Sequence, residues 1–165
     1  MRWAARLGGP GIDVDDVVQE VFLVAGRRLR WFAGGGQITT WLFRATERVV
    51  LAARRKQRWG RWLAGRSDAA ATTQGAPRPT PAEAFERDRE IAEVYRVLDR
   101  LPERQRRVLL LFELDGLSAQ EIADLVGSRA ATVRVWLFRA RARFLEEHQR
   151  LFPPDVEASD GGGDS

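Results

Sequence analysis

The sequence predicts an all-α protein made of two small helical units joined by a flexible linker. Three observations carry this. Apolar residues recur at three- and four-residue steps through most of the chain, the spacing of one buried helix face. Helix start and stop signals bracket nearly every such run. A stretch rich in Ala, Gly, Pro and Thr divides the 165 residues into blocks at 1–64 and 81–150, leaving a linker at 65–80 and a tail at 151–165.

In the first block Val14, Val17, Val18, Val21, Phe22, Ala25 and Leu29 form one apolar stripe. Asp13, Asp15 and Asp16 stand at its start, where carboxylates cap free N–H groups and favour the helix dipole. Gly34-Gly35-Gly36 breaks the chain. A second helix is expected from about Thr39, with Ile38, Trp41, Leu42, Ala45 and Val49 buried. It ends in a basic run of Arg54, Arg55, Lys56, Arg58 and Arg61. Ahead of both lies "MRWAARLGG", in which Trp3 and Leu7 share a face and Gly8-Gly9 stops a helix.

The linker "GRSDAAATTQGAPRPT" has too little apolar surface to offset the entropy of ordering it. Thr80-Pro81-Ala82-Glu83 restarts a helix, with Thr as cap, Pro at the first helical position and Glu reaching back. Its expected core stripe is Phe85, Ile91, Val94, Tyr95 and Leu98. Leu101-Pro102 breaks the chain, and a further helix carries Val108, Leu109 and Phe112 before Asp115-Gly116 turns it. Ser118-Ala119-Gln120-Glu121 is a capping box that starts a helix running to about Val126. Gly127 ends it, and the last helix begins about three residues later, with Ala130, Val133, Leu137, Ala140 and Phe144 inward. The tail after Pro153-Pro154 is acidic and glycine-rich, and is expected to be disordered.

Composition narrows the chemistry. The formal charge is +4 and Lys56 is the only lysine, so the cationic groups are almost all guanidinium. Forked donors suit phosphates and guanine edges, which favours a nucleic-acid partner. A high-GC genome that encodes arginine wherever a solvated cation will do gives the same composition. There is no cysteine and a single His148, which removes disulfides and thiolate or multi-histidine metal sites. No Ser/His/Asp set, no phosphate loop after a strand and no cofactor motif is present, and no catalytic residue is assigned. "DDVVQE" has the look of an aspartate-rich Mg²⁺ motif, but such a site needs carboxylates from two facing helices around a deep pocket. No apolar run approaches the ~18 residues of a membrane span, and no signal peptide is evident, so a cytoplasmic protein without membrane insertion is expected.

Two helices joined by a tight glycine turn, the second studded with arginine, match the helix-turn-helix that lays its second helix in the DNA major groove. Arg129, Thr132, Arg134 and Trp136 fall near the N-terminal half of that helix, away from the apolar stripe, and Arg139, Arg141 and Arg143 follow. Donors near the N-terminal end suit base edges, and those further along suit phosphates.

With these residues in view, "LDRLPERQRRVLLLFELDGLSAQEIADLVGSRAATVRVWLFRARARF" resembles the C-terminal region of bacterial sigma-70 factors of the extracytoplasmic-function (ECF) group. "DVDDVVQEVFL" is similar to the polymerase-binding helix of that family, and "TTWLFRATERVVLAARRK" to its −10-reading helix. The resemblance implies a partial region 2 bundle at 1–64 and a region 4 helix-turn-helix at 81–150. It also implies a protein that binds core RNA polymerase and directs promoter-specific initiation. By that likeness Asp16, Gln19 and Glu20 would dock on the clamp of the largest catalytic subunit. Trp31, Phe32, Thr39, Thr40, Trp41, Arg44, Arg48, Arg54, Arg55 and Lys56 would handle the −10 DNA, with aromatics for unstacked bases and cations for phosphates. Trp41 also fits a core role. Arg129, Thr132, Arg134, Val135, Trp136, Arg139 and Arg141 would meet the −35 element. An anti-sigma factor is a further partner the family implies.

The sequence departs from the family pattern in places. Ala131 stands where a glycine is usual and Val135-Trp136 where Ser-Arg is usual, while Arg48 and Ala52 replace the frequent Asn and Asp. Trp136 is open between a thymine contact and an extension of the core. The family also carries one or two more helices before the acidic one, so the first block, near the ~40-residue limit for independent folding, is expected to be unstable by itself. Two other readings remain: a helix-turn-helix regulator that never engages polymerase, and a shortened sigma-like fragment that binds DNA without supporting initiation.

Overall fold

The computed structural model describes residues 1–28, 37–64 and 81–153, with side chains at 28, 61, 64 and 81–86 left aside. Seven α-helices and no strand are found among the described residues. The expected glycine break at 34–36, the linker at 65–80, Leu29, the Phe85 side chain and the tail beyond Pro153 lie outside them.

α1 (Arg2–Gly8) and α2 (Val14–Arg28) are joined by a short turn. As the aspartates predict, Asp13 Oδ1 accepts the N–H groups of Asp15 and Asp16 at 2.9 and 3.1 Å, capping α2. Val17 is buried, and Val14, Val18 and Val21 are half-buried against the core. Phe22 corrects the expected stripe, being 71% exposed. At about 100° per residue it stands roughly 140° round the helix from Val17, past the edge of the buried sector.

α3 (Ile38–Ala64) is buried from two sides, which one periodic stripe cannot express. Ala45 and Val49 belong to the face turned to α2, as expected. A second face, Phe43, Thr46, Val50 and Arg54, is fully buried against α1 and the second block. Trp3 meets Phe43 edge-on with centroids 5.1 Å apart. The Thr46 hydroxyl donates to the Leu42 carbonyl at 2.9 Å, so its burial leaves no unpaired donor. Ile38, expected inside, is 48% exposed at the helix entrance.

In the second block α4 (Pro81–Leu98) and α5 (Glu103–Glu113) pack with α6 (Ala119–Val126) and α7 (Ala130–Leu151). Val97, Leu98, Val108, Leu111, Ile122, Val133 and Leu137 are the centre of this core. Ile91 and Val94 again differ from expectation at 48% and 43% exposed. Val94 lines an open apolar groove with Leu98, Leu109, Leu114 and Leu145. The capping box of α6 is complete: Ser118 Oγ accepts from the Glu121 N–H, and the Glu121 carboxylate accepts from the Ser118 N–H at 2.8 Å. Gly127 ends the helix at φ 72°, a left-handed position that favours glycine.

These bonds to Ser118 hold the Glu121 carboxyl below the usual carboxylate range. A depressed folded value means the box contributes fully at neutral pH and is lost as pH falls through it. Ser118→Ala is expected to cost about 0.5–2 kcal/mol at neutral pH. Thermal melts should show the gap between the two proteins narrowing toward acid pH.

The two blocks share one continuous apolar core, running from Ala4, Leu7 and Phe43 into Val97, Val108 and Ile122. The sequence expectation of two units on a tether leaves this out, because contacts between blocks have no period. The free carbonyls at the C-terminal end of α1 are satisfied from the other block. The Tyr95 hydroxyl donates to the Arg6 carbonyl at 2.9 Å, and Arg106 Nη1 donates to the Leu7 carbonyl at 2.7 Å. Tyr95 also presses on the chain at Gly9, where φ is 83° and a Cβ would lie 2.5 Å from the ring. Arg6 pairs with Asp115, and Arg107 with Glu47. Burial, with repulsion from Arg54, lowers Arg106 to about 10, so it stays charged at neutral pH, and the nearby Glu103 and Asp99 carboxylates offset only part of the lost hydration.

Candidate nucleic-acid and polymerase interface

α7 sits on the body of the molecule through Val133, Leu137 and Ala140, with exposures of 0%, 5% and 0%. The turn of Gly127, Ser128 and Arg129 is closed by two N–H bonds to the Ala123 carbonyl, both 2.9 Å, which fix α7 relative to α6. Facing away from the core are Arg129, Arg134, Val135 and Arg139, all exposed. Thr132 is half-buried at the edge of this face. Phe138 lies among them at 76% exposed, and sequence reasoning missed it. The signal was available: Phe138 is one residue off the inward series, beside Leu137 rather than within it.

Two residues assigned to this face are occupied within the chain. Trp136 is half-buried against the core, with the Arg104 guanidinium 6.0 Å from its ring centroid, which favours core extension. Arg141 donates through Nε and Nη2 to the Glu113 carboxylate at 3.0 and 2.8 Å and lies 4.9 Å over the Phe112 ring. It braces α7 on α5.

In the first block an open groove runs between α2 and α3. Asp16, Gln19 and Glu20 line the α2 wall, exposed on the side opposite the valines. Leu23, 50% exposed, lies in their midst at the next helical step and was not expected there. Arg44, Arg48, Arg55 and Lys56 line the α3 wall. Thr39 is exposed near its N-terminal end, with Thr40 and Trp41 half-buried beside it. Trp31 and Phe32 lie outside the described residues.

The cations of α3 are not equivalent. Arg48, Arg55 and Lys56 are exposed. Arg44 is exposed, yet its Nε donates to the Leu125 carbonyl of α6 at 3.3 Å. Arg54 departs most from expectation: it is 6% exposed and pairs with Asp99 at 2.7 Å and Glu103 at 3.2 Å, at the joint of α4 and α5. In this arrangement it ties the blocks together, and a phosphate contact from it requires them to part. The stretch Arg54-Arg55-Lys56 gives no hint of this, since burial of one cation depends on carboxylates over forty residues away. No group of His, Cys, Asp or Glu suited to a metal is found among the described residues.

The fold and these two faces define a helical DNA-binding protein with a helix-turn-helix in its C-terminal half and an open polar groove in its N-terminal half. Comparison with known proteins gives the family. Residues 1–60 match the model for sigma-70 region 2, and residues 91–144 the model for sigma-70 region 4. The ECF RNA polymerase sigma-E factor of Escherichia coli K12 is 35% identical over 139 residues, covering 80% of this chain and 72% of that protein. The RNA polymerase sigma factor NccH of Alcaligenes xylosoxydans xylosoxydans is 31% identical over 140 residues, covering 85% and 75%. Among solved structures, CnrH in complex with the cytosolic domain of CnrY superposes with TM-score 0.58 at 25% identity, over 87% of this chain and 76% of that one. The sigma factor RpoE of Bartonella quintana, in complex with the anti-sigma factor NepR, superposes with TM-score 0.57 over 88% and 87%; at 23% identity it speaks for the fold alone.

The chain belongs to the ECF group of the sigma-70 family of RNA polymerase sigma factors. It binds core RNA polymerase and directs promoter-specific transcription initiation; members of this family are not enzymes.

Proposed function

We propose that the molecule divides the promoter between its two blocks, with boundaries at 1–64 and 81–150 around the 65–80 linker and a 151–165 tail. The exposed face of α7 supports this most directly, with Arg129, Arg134, Val135, Phe138 and Arg139 outward behind a capped, tightly turned α6. This face reads the −35 element, with Thr132 at its edge, Arg134 on a base edge and Arg139 on phosphate. α3 takes the −10 DNA through Thr39, Thr40, Arg44, Arg48, Arg55 and Lys56, joined by Trp31 and Phe32 from the preceding loop. Trp41 stands by as a stacking partner. On α2, Asp16, Gln19 and Glu20 surround Leu23, a small apolar centre with a polar rim, suited to the clamp of the largest polymerase subunit.

The site of action is the cytoplasm, where promoter and polymerase are; among the described residues no helix is long and apolar enough to cross a membrane. An anti-sigma factor is proposed as a regulator, as the family resemblance implies; CnrH, 25% identical to this chain, is likewise in complex with a partner, the cytosolic domain of CnrY.

The test is run-off transcription and promoter binding with core polymerase. Arg134→Ala is expected to weaken binding to the cognate promoter by about 1–3 kcal/mol. Equal loss on scrambled DNA would reassign Arg134 to phosphate. Leu23→Asp is expected to abolish competition for core polymerase while leaving the fold intact, because Leu23 is half-exposed. A protein that binds the promoter but never supports a transcript with core polymerase would be the DNA-binding fragment instead.

A further inference from the structure

α7 is longer than reading DNA requires. In a helix-turn-helix the N-terminal residues of the second helix meet the base edges, yet α7 runs for 22 residues, or ~33 Å. Its outward face carries a second pattern beside the arginines. Ala131, Val135, Phe138, Ala142 and Leu145 are all exposed, and they follow one another by four, three, four and three residues. At about 100° per residue they fall within one sector of roughly 80°, turned away from the buried Val133, Leu137 and Ala140. This is the seam spacing by which one helix packs along another.

DNA does not account for the whole seam. The major groove offers apolar contact chiefly at thymine methyls. Leu145, 62% exposed, lies eleven residues past Arg134, or ~16 Å further along the axis, beyond the part of the helix that meets base edges. Charge indicates what covers it. From Ala130 to Leu145 there is no acidic residue. Helical geometry sets Arg134 and Arg141 along one border of the seam, and Arg139 and Arg143 along the other. Arg141 is taken by Glu113, but Arg134, Arg139 and Arg143 make no ion pair among the described residues. Glu146, the first acid along the helix, is held by Arg150 at 3.7 Å. A second copy of α7 would set arginine against arginine. A helix with carboxylates beside its own apolar seam would complement both the stripe and its borders.

We propose that the outer face of α7 is also the docking site for an acidic amphipathic helix of a protein partner. That helix packs along Ala131, Val135, Phe138, Ala142 and Leu145, with its carboxylates on the flanking arginines. It shares Arg134, Val135, Phe138 and Arg139 with the −35 DNA, so the two exclude each other and the partner withholds the C-terminal block from the promoter. The exclusion rests on reading α7 as the −35 helix; the seam itself does not.

The experiment uses the full chain and a synthetic helix of three heptads with Leu at a and d and Glu at e and g, whose glutamates oppose pairing with itself. A peptide of the same composition in shuffled order, without an apolar face, is the control. In fluorescence anisotropy the heptad peptide is expected to bind and to be displaced by a −35 duplex, and the shuffled one to bind about tenfold or more weakly. Ala142→Gln/Leu145→Ser alters no charge and no −35 contact. It should melt as the parent does and hold the −35 duplex within about twofold, yet lose about tenfold or more in affinity for the heptad peptide. Equal binding of the two peptides, or peptide and duplex bound together, overturns the proposal. So does a dimer of the parent chain in sedimentation that the double variant loses, which would put a second copy on the seam. Arg134→Ala tells the two readings apart. Weakened −35 binding in that variant, with no docking of the peptide on the parent, sinks only the seam. Unchanged −35 binding sinks the reading of α7, whatever the peptide does.

Discussion

Phe43→Ala is expected to lower the unfolding free energy by about 3–5 kcal/mol, among the largest effects a single substitution has here. The side chain is 0% exposed and takes the edge of the Trp3 ring at 5.1 Å. An aromatic pair of this kind adds about 0.5–1.5 kcal/mol beyond area burial. Phe43 also lies in the core that joins the blocks, so the cavity would loosen α1 and α3 together. A urea titration followed by far-UV circular dichroism measures it. Phe22→Ala is the contrast: at 71% exposed, it should change stability by no more than about 0.5 kcal/mol. Equal losses from the two would mean that α2 is rotated to bury the stripe its sequence suggests.

The second large effect concerns the joint between blocks. Asp99→Ala/Glu103→Ala removes both carboxylates from Arg54 and leaves the buried Arg106 without its nearest anions. Breaking such a pair on one side is costly because a charge is left in a poorly hydrated place. Both carboxylates are 39–44% exposed, so solvent screening reduces the loss to about 1–3 kcal/mol. The expected response is separation of the blocks, read as a larger radius of gyration by small-angle scattering. Unfolding is the alternative response, and a retained α-helical signal distinguishes the two. Separation matters to function. A folded body of about 130 residues is on the order of 40 Å across. The −35 and −10 elements are some two dozen base pairs apart, on the order of 80 Å at ~3.4 Å each. On the proposed division of the promoter between the blocks, the arrangement in which Arg54 is buried is too short to span both, so the variant should also reach promoter DNA faster. Stopped-flow association with holoenzyme checks that.

Much of the local structure was legible because it is written in local chemistry. The Asp13 cap, the Ser118–Glu121 box, the left-handed Gly127 and the inward series Val133, Leu137, Ala140 all depend on neighbours within one or two turns. The errors share one cause. Phe22, Ile38, Ile91 and Val94 were assigned inward because they are apolar and near a stripe, and Phe43 and Val50 were overlooked because their partners come from elsewhere in the chain. The candidate interface divides in the same way. The outward placement of Arg129, Arg134 and Arg139 followed from the helical period. The capture of Arg141 by Glu113, and of Arg54 by Asp99 and Glu103, did not.

The α1 carbonyls held by Tyr95 and Arg106 bear on any attempt to retarget the protein. Grafting the −35 reader of another relative onto this N-terminal half would bring a foreign surface to Arg6, Leu7 and Gly9. A hybrid would then need the tyrosine, the guanidinium and the two acids transplanted with it, or it would rest in a permanently open form.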